Sequence, residues 1–173
     1  MNQQISVRNF EPVDWPIYKA LRLRSLEDSP SAFGSTLDLE LERSDAAWTE
    51  RLQNAASSGR DCALVAEAAG TPSGLIWAKV DANEPGTVNI FQMWVAPEAR
   101  SRGVGDALLQ AAIHWARQHG AHFAKLGATC GDTPAVRLYQ RAGFKEVGAR
   151  EPIRVGSTVL AQNMILALAK SAV

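Results

Sequence analysis

The chain lacks most of the features that narrow a protein's role quickly. It has two cysteines, Cys62 and Cys130, far apart and without CxxC spacing. That argues against a disulfide framework or a cysteine metal site and for two buried thiols in a reducing, cytoplasmic setting. No apolar run approaches the roughly 18 residues needed to cross a bilayer. Met1–Phe10 holds Arg8 but no apolar signal-peptide core, so no membrane partner is expected. Net charge is also missing, because 18 Lys/Arg balance 18 Asp/Glu. With no basic run interleaved with aromatics, a nucleic-acid groove is unsupported. What remains is ordinary globular composition, 46% hydrophobic and 21% charged over 173 residues. The reading is a single domain over 1–173 whose core needs no metal or disulfide.

The zero net charge conceals a gradient. Residues 1–87 carry 8 Lys/Arg against 13 Asp/Glu, and residues 88–173 carry 10 against 5. Chance clustering explains this as well as function does. The functional reading is an anion handled by the second half and a cation tolerated by the first. Asp38, Glu40, Glu42 and Asp45 cluster within the first half. A solvated face is the default for such a run, with attraction of a cationic ligand as the alternative.

Periodicity predicts a mixed α/β layer structure. Strands are expected at 5–10, 62–68, 75–81, 87–96, 123–129, 144–147 and 158–167, with a hairpin connection over Gly70–Gly74. Helices are expected over 15–27, with Asp14 as cap and Ile17, Ala20, Leu21 and Leu26 as the apolar face; from Ser44 or Asp45 to Gly59; over 104–119, closed by Gly120; and over 134–142.

The most informative segment joins the fourth strand to the third helix: Val95-Ala96-Pro97-Glu98-Ala99-Arg100-Ser101-Arg102-Gly103-Val104-Gly105-Asp106. Glycines at 103 and 105 let a backbone approach closely and gather successive N–H groups, and the helix start adds positive potential. A di- or triphosphate fits such a bend, with Arg100 and Arg102 as charges around it. Glycine required by joint geometry alone is the competing explanation. Leu108 stands where a dinucleotide fingerprint needs its third glycine, and no lysine completes a P-loop.

The spacing Arg100-x-x-Gly103-x-Gly105, after a strand ending Met93-Trp94-Val95-Ala96-Pro97, resembles the cofactor motif of the GNAT superfamily of acyl-CoA-dependent N-acetyltransferases. Further on, Asp132-Thr133-Pro134-Ala135-Val136-Arg137-Leu138-Tyr139-Gln140-Arg141-Ala142-Gly143-Phe144 is similar to that superfamily's second signature, N-x-x-A-x-x-L-Y-x-x-x-G-F. The residue-level match covers 93–144. The resemblance implies a mostly antiparallel sheet of about six to seven strands with one splayed parallel pair, flanked by about four helices.

It also implies roles. Acetyl-CoA would be the co-substrate, with no metal. Its pyrophosphate would rest on the amides of Arg102, Gly103, Val104, Gly105 and Asp106. Its pantetheine arm would run along Met93, Trp94 and Val95, with the Val95 N–H polarising the thioester carbonyl. Tyr139 would be the catalytic acid that protonates the departing thiolate, the alternative being a packed tyrosine with any available partner. Asp132 stands for the usual asparagine near the pantetheine. Asp106 places a negative charge behind the bend. Ser101 replaces a frequent glycine, tolerable unless its φ is positive.

Neither Asn89 nor Gln92 is basic, so deprotonation of the acceptor through water is expected, with no residue named as base. Cys130 lies near the presumed gap, but no histidine is placed to activate it. The implied activity is acetyl transfer to a primary amine, small-molecule or peptide, by direct attack in a ternary complex. Ser29–Gly34 is the candidate lining loop. The second function class is a non-catalytic acyl-CoA sensor module. A homodimer is left open.

Overall fold

The computed structural model describes residues 4–169, so Met1–Gln3 of the segment read for a leader lie outside it. The first half runs β1 (Ile5–Asn9), α1 (Trp15–Asp28), α2 (Leu37–Leu41), α3 (Asp45–Ser58), β2 (Asp61–Ala68) and β3 (Thr71–Val80). The second runs β4 (Thr87–Val95), α4 (Val104–Gln118), β5 (Phe123–Thr129), α5 (Pro134–Arg141), β6 (Lys145–Pro152) and β7 (Leu160–Ala167). The strands form one sheet in the order β1-β2-β3-β4-β5-β7-β6. Every neighbouring pair is antiparallel except β4 and β5.

That parallel pair holds together at only three positions: Thr87 with Phe123, Val88 with Ala124 and Asn89 with Lys125. Beyond Asn89 the two strands part. The cause lies on the other edge of β4. Leu75 of β3 faces Trp94 and Trp77 faces Phe91, so Gln92 and Met93 together oppose Ile76. Such a bulge bends and twists its strand, and Gln92 takes a left-handed φ of 55° to make it.

The sheet separates two cores. On one face Leu108, Leu109 and Ile113 of α4 pack on Leu64, Ile76, Ile90 and Leu126, with Leu138 and Tyr139 of α5 beside them. Each buried aliphatic side chain there contributes roughly 1.5–3 kcal/mol. On the other face Tyr18, Leu21 and Leu26 of α1 and Trp48 and Leu52 of α3 cover Leu75, Trp77 and Trp94.

Several expectations need adjustment. Asp14 does occupy the N-cap position of α1, but its carboxylate makes no capping bond to the helix; it accepts instead from the Glu11 N–H at 2.8 Å and from Arg8 at 2.7 Å. The α1 stripe that turns inward is Tyr18, Leu21, Arg22, Ser25 and Leu26, and Ala20 is exposed. The β2–β3 hairpin turns at Ala69 and Gly70, both at positive φ, so β3 begins at Thr71, inside the segment read as loop. α2 stands where a solvated acidic run is the default reading, its start capped by Thr36. β6 runs on to Pro152 although it is exposed throughout. It is an edge strand held by β7, and no burial pattern marks it in the sequence.

Candidate active site

The bend after β4 follows from local rules. The Ala96 N–H pairs with Ser73 O at 2.8 Å, on the β3 side. Alternation along the strand then turns the Val95 N–H toward the open gap by β5. Gly103 sits at φ 87° and leads directly into α4 with no side-chain cap. Ala107 is bonded to Gly103 O at 3.0 Å, so the N–H groups of Val104, Gly105 and Asp106 have no carbonyl within the helix. Gly105 is closely packed: a Cβ there would lie 3.2 Å from Leu138 Cδ2 and 3.3 Å from Met93 Cε, so both side chains would have to shift by a few tenths of an ångström. The helix start is thereby wedged between the end of β4 and α5. Ser101 has φ 59°, the condition under which serine in place of glycine carries strain.

The remaining motif residues spread around this bend. The Arg100 Nε donates to Val95 O at 3.0 Å and its Nη2 to Asp28 Oδ2. The same Asp28 oxygen accepts from Ser29 Oγ at 2.7 Å and from Trp94 Nε1 at 3.0 Å. The hydrogen bonds from Ser29, Trp94 and Arg100 lower the Asp28 pKa to about 2. Trp94 buries its ring in the α1 core, which leaves only its backbone on the gap side. Arg102 and Asp106 are exposed. Asp132 is exposed and paired with Arg137 at 2.8 Å.

A cavity of about 540 Å³ opens where β4 and β5 part. Met93, Gly127, Thr129 and Tyr139 line it, as do Ala32, Phe33 and Gly34 of the expected lining loop. That loop is tied down by Thr129 Oγ1 donating to Ser31 O at 2.7 Å and Arg154 donating to Phe33 O at 3.0 Å. Tyr139 is 6% exposed and meets Phe144 edge-on. Burial pushes its pKa up, so the hydroxyl keeps its proton at neutral pH. Cys130 is half-buried, while Cys62 is buried and its thiol is pushed up to about 12 by desolvation.

The opposite wall of the cavity is polar, and the sequence reading missed it. Arg22, Glu40, Arg43 and Arg51 line it together with Gln92. Glu40 is 3% exposed. It accepts from Arg43 Nε at 2.6 Å and from Ser35 Oγ at 2.9 Å, and Arg51 stands 3.7 Å away. Burial raises its pKa, but Arg43, Ser35 and Arg51 outweigh that and hold it below the usual carboxylate range. A carboxylate held this way is a poor proton acceptor. Asp45 pairs with Lys19 at 2.8 Å, so two of the four clustered acids already have cationic partners. A signal for this wall was available: Tyr18, Arg22 and Ser25 recur at helical spacing within the buried stripe of α1. Among the described residues, no three His, Cys, Asp or Glu side chains gather as a metal cluster.

A family model described as the acetyltransferase (GNAT) family matches residues 23–144. The chain belongs to that family. It is 32% identical over 145 residues to a mycothiol acetyltransferase of Thermobispora bispora, an alignment covering 81% of this chain and 46% of that protein. The chain spans about a quarter to a half of the length of the curated relatives it matches. A GNAT-family acetyltransferase from Streptococcus pneumoniae shares the fold at a TM-score of 0.82 and 22% identity, covering 96% of this chain and 100% of that one. A spermidine N-acetyltransferase from Vibrio cholerae, solved with CoA and spermine, shares it at 0.78 and 20% identity, covering 96% and 97%. The sheet of this chain is mostly antiparallel with a single parallel pair. Among the described residues, no helix of this GNAT chain is long and apolar enough to cross a membrane.

Proposed function

We propose that this GNAT chain transfers an acetyl group from acetyl-CoA to a primary amine by direct attack in a ternary complex. One coincidence carries the reading. The cavity where β4 and β5 part is lined by both Met93 and Tyr139, and the uncapped start of α4 packs through Gly105 against that same Met93. Residues 1–173 act as one catalytic unit in this reading, and the two free cysteines suit a reducing, cytoplasmic setting.

The residues present fit the co-substrate. Unpaired amides at 104–106, reinforced by the helix dipole, are donors suited to a diphosphate. Gly103 and Ser101 supply the left-handed turns that present them. The open backbone edge at Met93 and Val95 suits an extended amide-bearing arm added beside β4. Arg100 serves mainly to brace the bend through Asp28 and Val95, and both Arg100 and Arg102 are exposed beside it. Asp132 lies just before α5, exposed and paired with Arg137.

Acetyl-CoA supplies the acyl group as a thioester. The Val95 N–H stabilises negative charge developing on the carbonyl oxygen. Tyr139 delivers its proton to the departing sulfur as the C–N bond forms and the C–S bond breaks. The acceptor ammonium loses one proton to water before attack, since Glu40 is held ionised by its arginines, and the second proton that the nitrogen sheds as the amide forms restores the Tyr139 hydroxyl. Thiol release measured with DTNB over an amine panel tests the reading. Acceptor-dependent release supports it; tight acetyl-CoA binding without turnover of any amine would leave only a binding module.

A further inference from the structure

The polar wall of the cavity holds three arginines and one carboxylate. Arginine does not lose its proton in proteins, so the wall carries an excess of positive charge that Glu40 neutralises only in part. Arg22 is the decisive member. It is 4% exposed, its guanidinium lies 4.7 Å from the Phe33 ring centroid, and it lines the cavity. Its Nη1 reaches only Ser25 Oγ at a long 3.4 Å, and its buried Nε has no partner. A buried guanidinium with unused donors is unfavourable unless a ligand completes it. The cation–π contact with Phe33 helps hold the guanidinium against the cavity, and a planar fork suits two-point recognition of an oxyanion.

We propose that the acceptor of this transferase is an amine that also bears an oxyanion, a carboxylate in the first instance, seated on Arg22 and flanked by Arg51 and Arg43. The inference rests on the transferase reading and deepens it. An amino acid places its carboxylate on the arginine wall and its amine toward the gap where Tyr139 stands. A polyamine meets excess like charge on that wall and is disfavoured. Repulsion of the wrong class is as much a part of specificity as attraction of the right one.

The test compares matched pairs in the thiol-release assay: L-amino acids against their carboxamides, with spermidine and hexylamine as cationic and neutral controls. Taurine and 2-aminoethylphosphonate report whether sulfonate or phosphonate replaces carboxylate. The expected result is kcat/KM higher for carboxylates than for their carboxamides by roughly tenfold to a hundredfold, the range of one buried charge-assisted contact. Most of the difference should lie in KM. Arg51→Gln, on the more exposed side of the wall, should shrink that preference while leaving the acetyl-CoA dissociation constant unchanged. Arg22→Lys, which keeps the charge and loses the fork, should do the same if its melting temperature shows it folded. Equal or faster turnover of carboxamides or spermidine overturns the proposal, as does an unchanged preference in Arg51→Gln. The same pairs are also measured by thermal shift without acetyl-CoA, where only the carboxylates should raise the melting temperature. That arm reads the anion seat even if the transferase reading falls, and no shift with any oxyanion-bearing amine counts against the seat.

Discussion

The Tyr18 hydroxyl donates to Gln92 Oε1 at 2.8 Å, fastening α1 to the bulged residue of β4. Arg51 donates to the same hydroxyl at 3.2 Å, so one phenol links the bulge to the arginine wall. Tyr18→Phe leaves the Gln92 carbonyl without its donor. It should destabilise the protein by about 1 kcal/mol, read as a lower urea midpoint with an unchanged m-value. Acceptor KM should rise more than the acetyl-CoA dissociation constant, because the wall loses its anchor.

Ser101 occupies left-handed backbone at φ 59° with its side chain exposed. Ser101→Gly should therefore stabilise the protein by about 1 kcal/mol through relief of that strain. Gly103→Ala, at φ 87°, should move stability the other way by about the same amount and weaken acetyl-CoA binding. Thermal melts of the two variants, with and without acetyl-CoA, check both signs.

Both motifs were legible in the sequence because each is local. Arg100–Gly105 sits on one strand-to-helix joint, and Asp132–Phe144 fits within a single helix and its flanks. The arginine wall was not, for a physical reason. Glu40 reads as one of several solvated acids until tertiary folding brings α3 and its Arg51 against α2. Apolar periodicity found Leu21 and Leu26 of α1 but not Tyr18, Arg22 and Ser25, because hydropathy does not mark a buried polar residue. The bulge at Gln92 escaped notice because a non-glycine residue at positive φ leaves no sign in composition. β6 was cut short because an exposed edge strand carries no alternation.

Asp28 accepts from Ser29, Trp94 and Arg100, which together depress its pKa to about 2. A depressed carboxylate contributes stability that is fully present above the unfolded value near 3.8 and is lost as pH falls toward 2. The stability difference between wild type and Asp28→Asn should thus be constant above about pH 5 and vanish toward pH 2. Urea unfolding across that range checks it.

Tyr139 stays protonated well above neutrality because burial raises its pKa. The alkaline rise in kcat/KM should consequently follow the acceptor amine, with no fall from tyrosine ionisation below pH 10. Tyr139→Phe should lower kcat by roughly 10²–10⁴-fold while the acetyl-CoA dissociation constant stays the same. Full kcat in that variant would remove Tyr139 from the chemistry.

The most direct measurement is calorimetric titration of acetyl-CoA into the purified protein at low and high salt. The account predicts saturable one-site binding that weakens as salt rises and weakens further in Gly103→Ala. Absence of heat at millimolar acetyl-CoA and low salt would contradict the claim that the start of α4 grips a diphosphate.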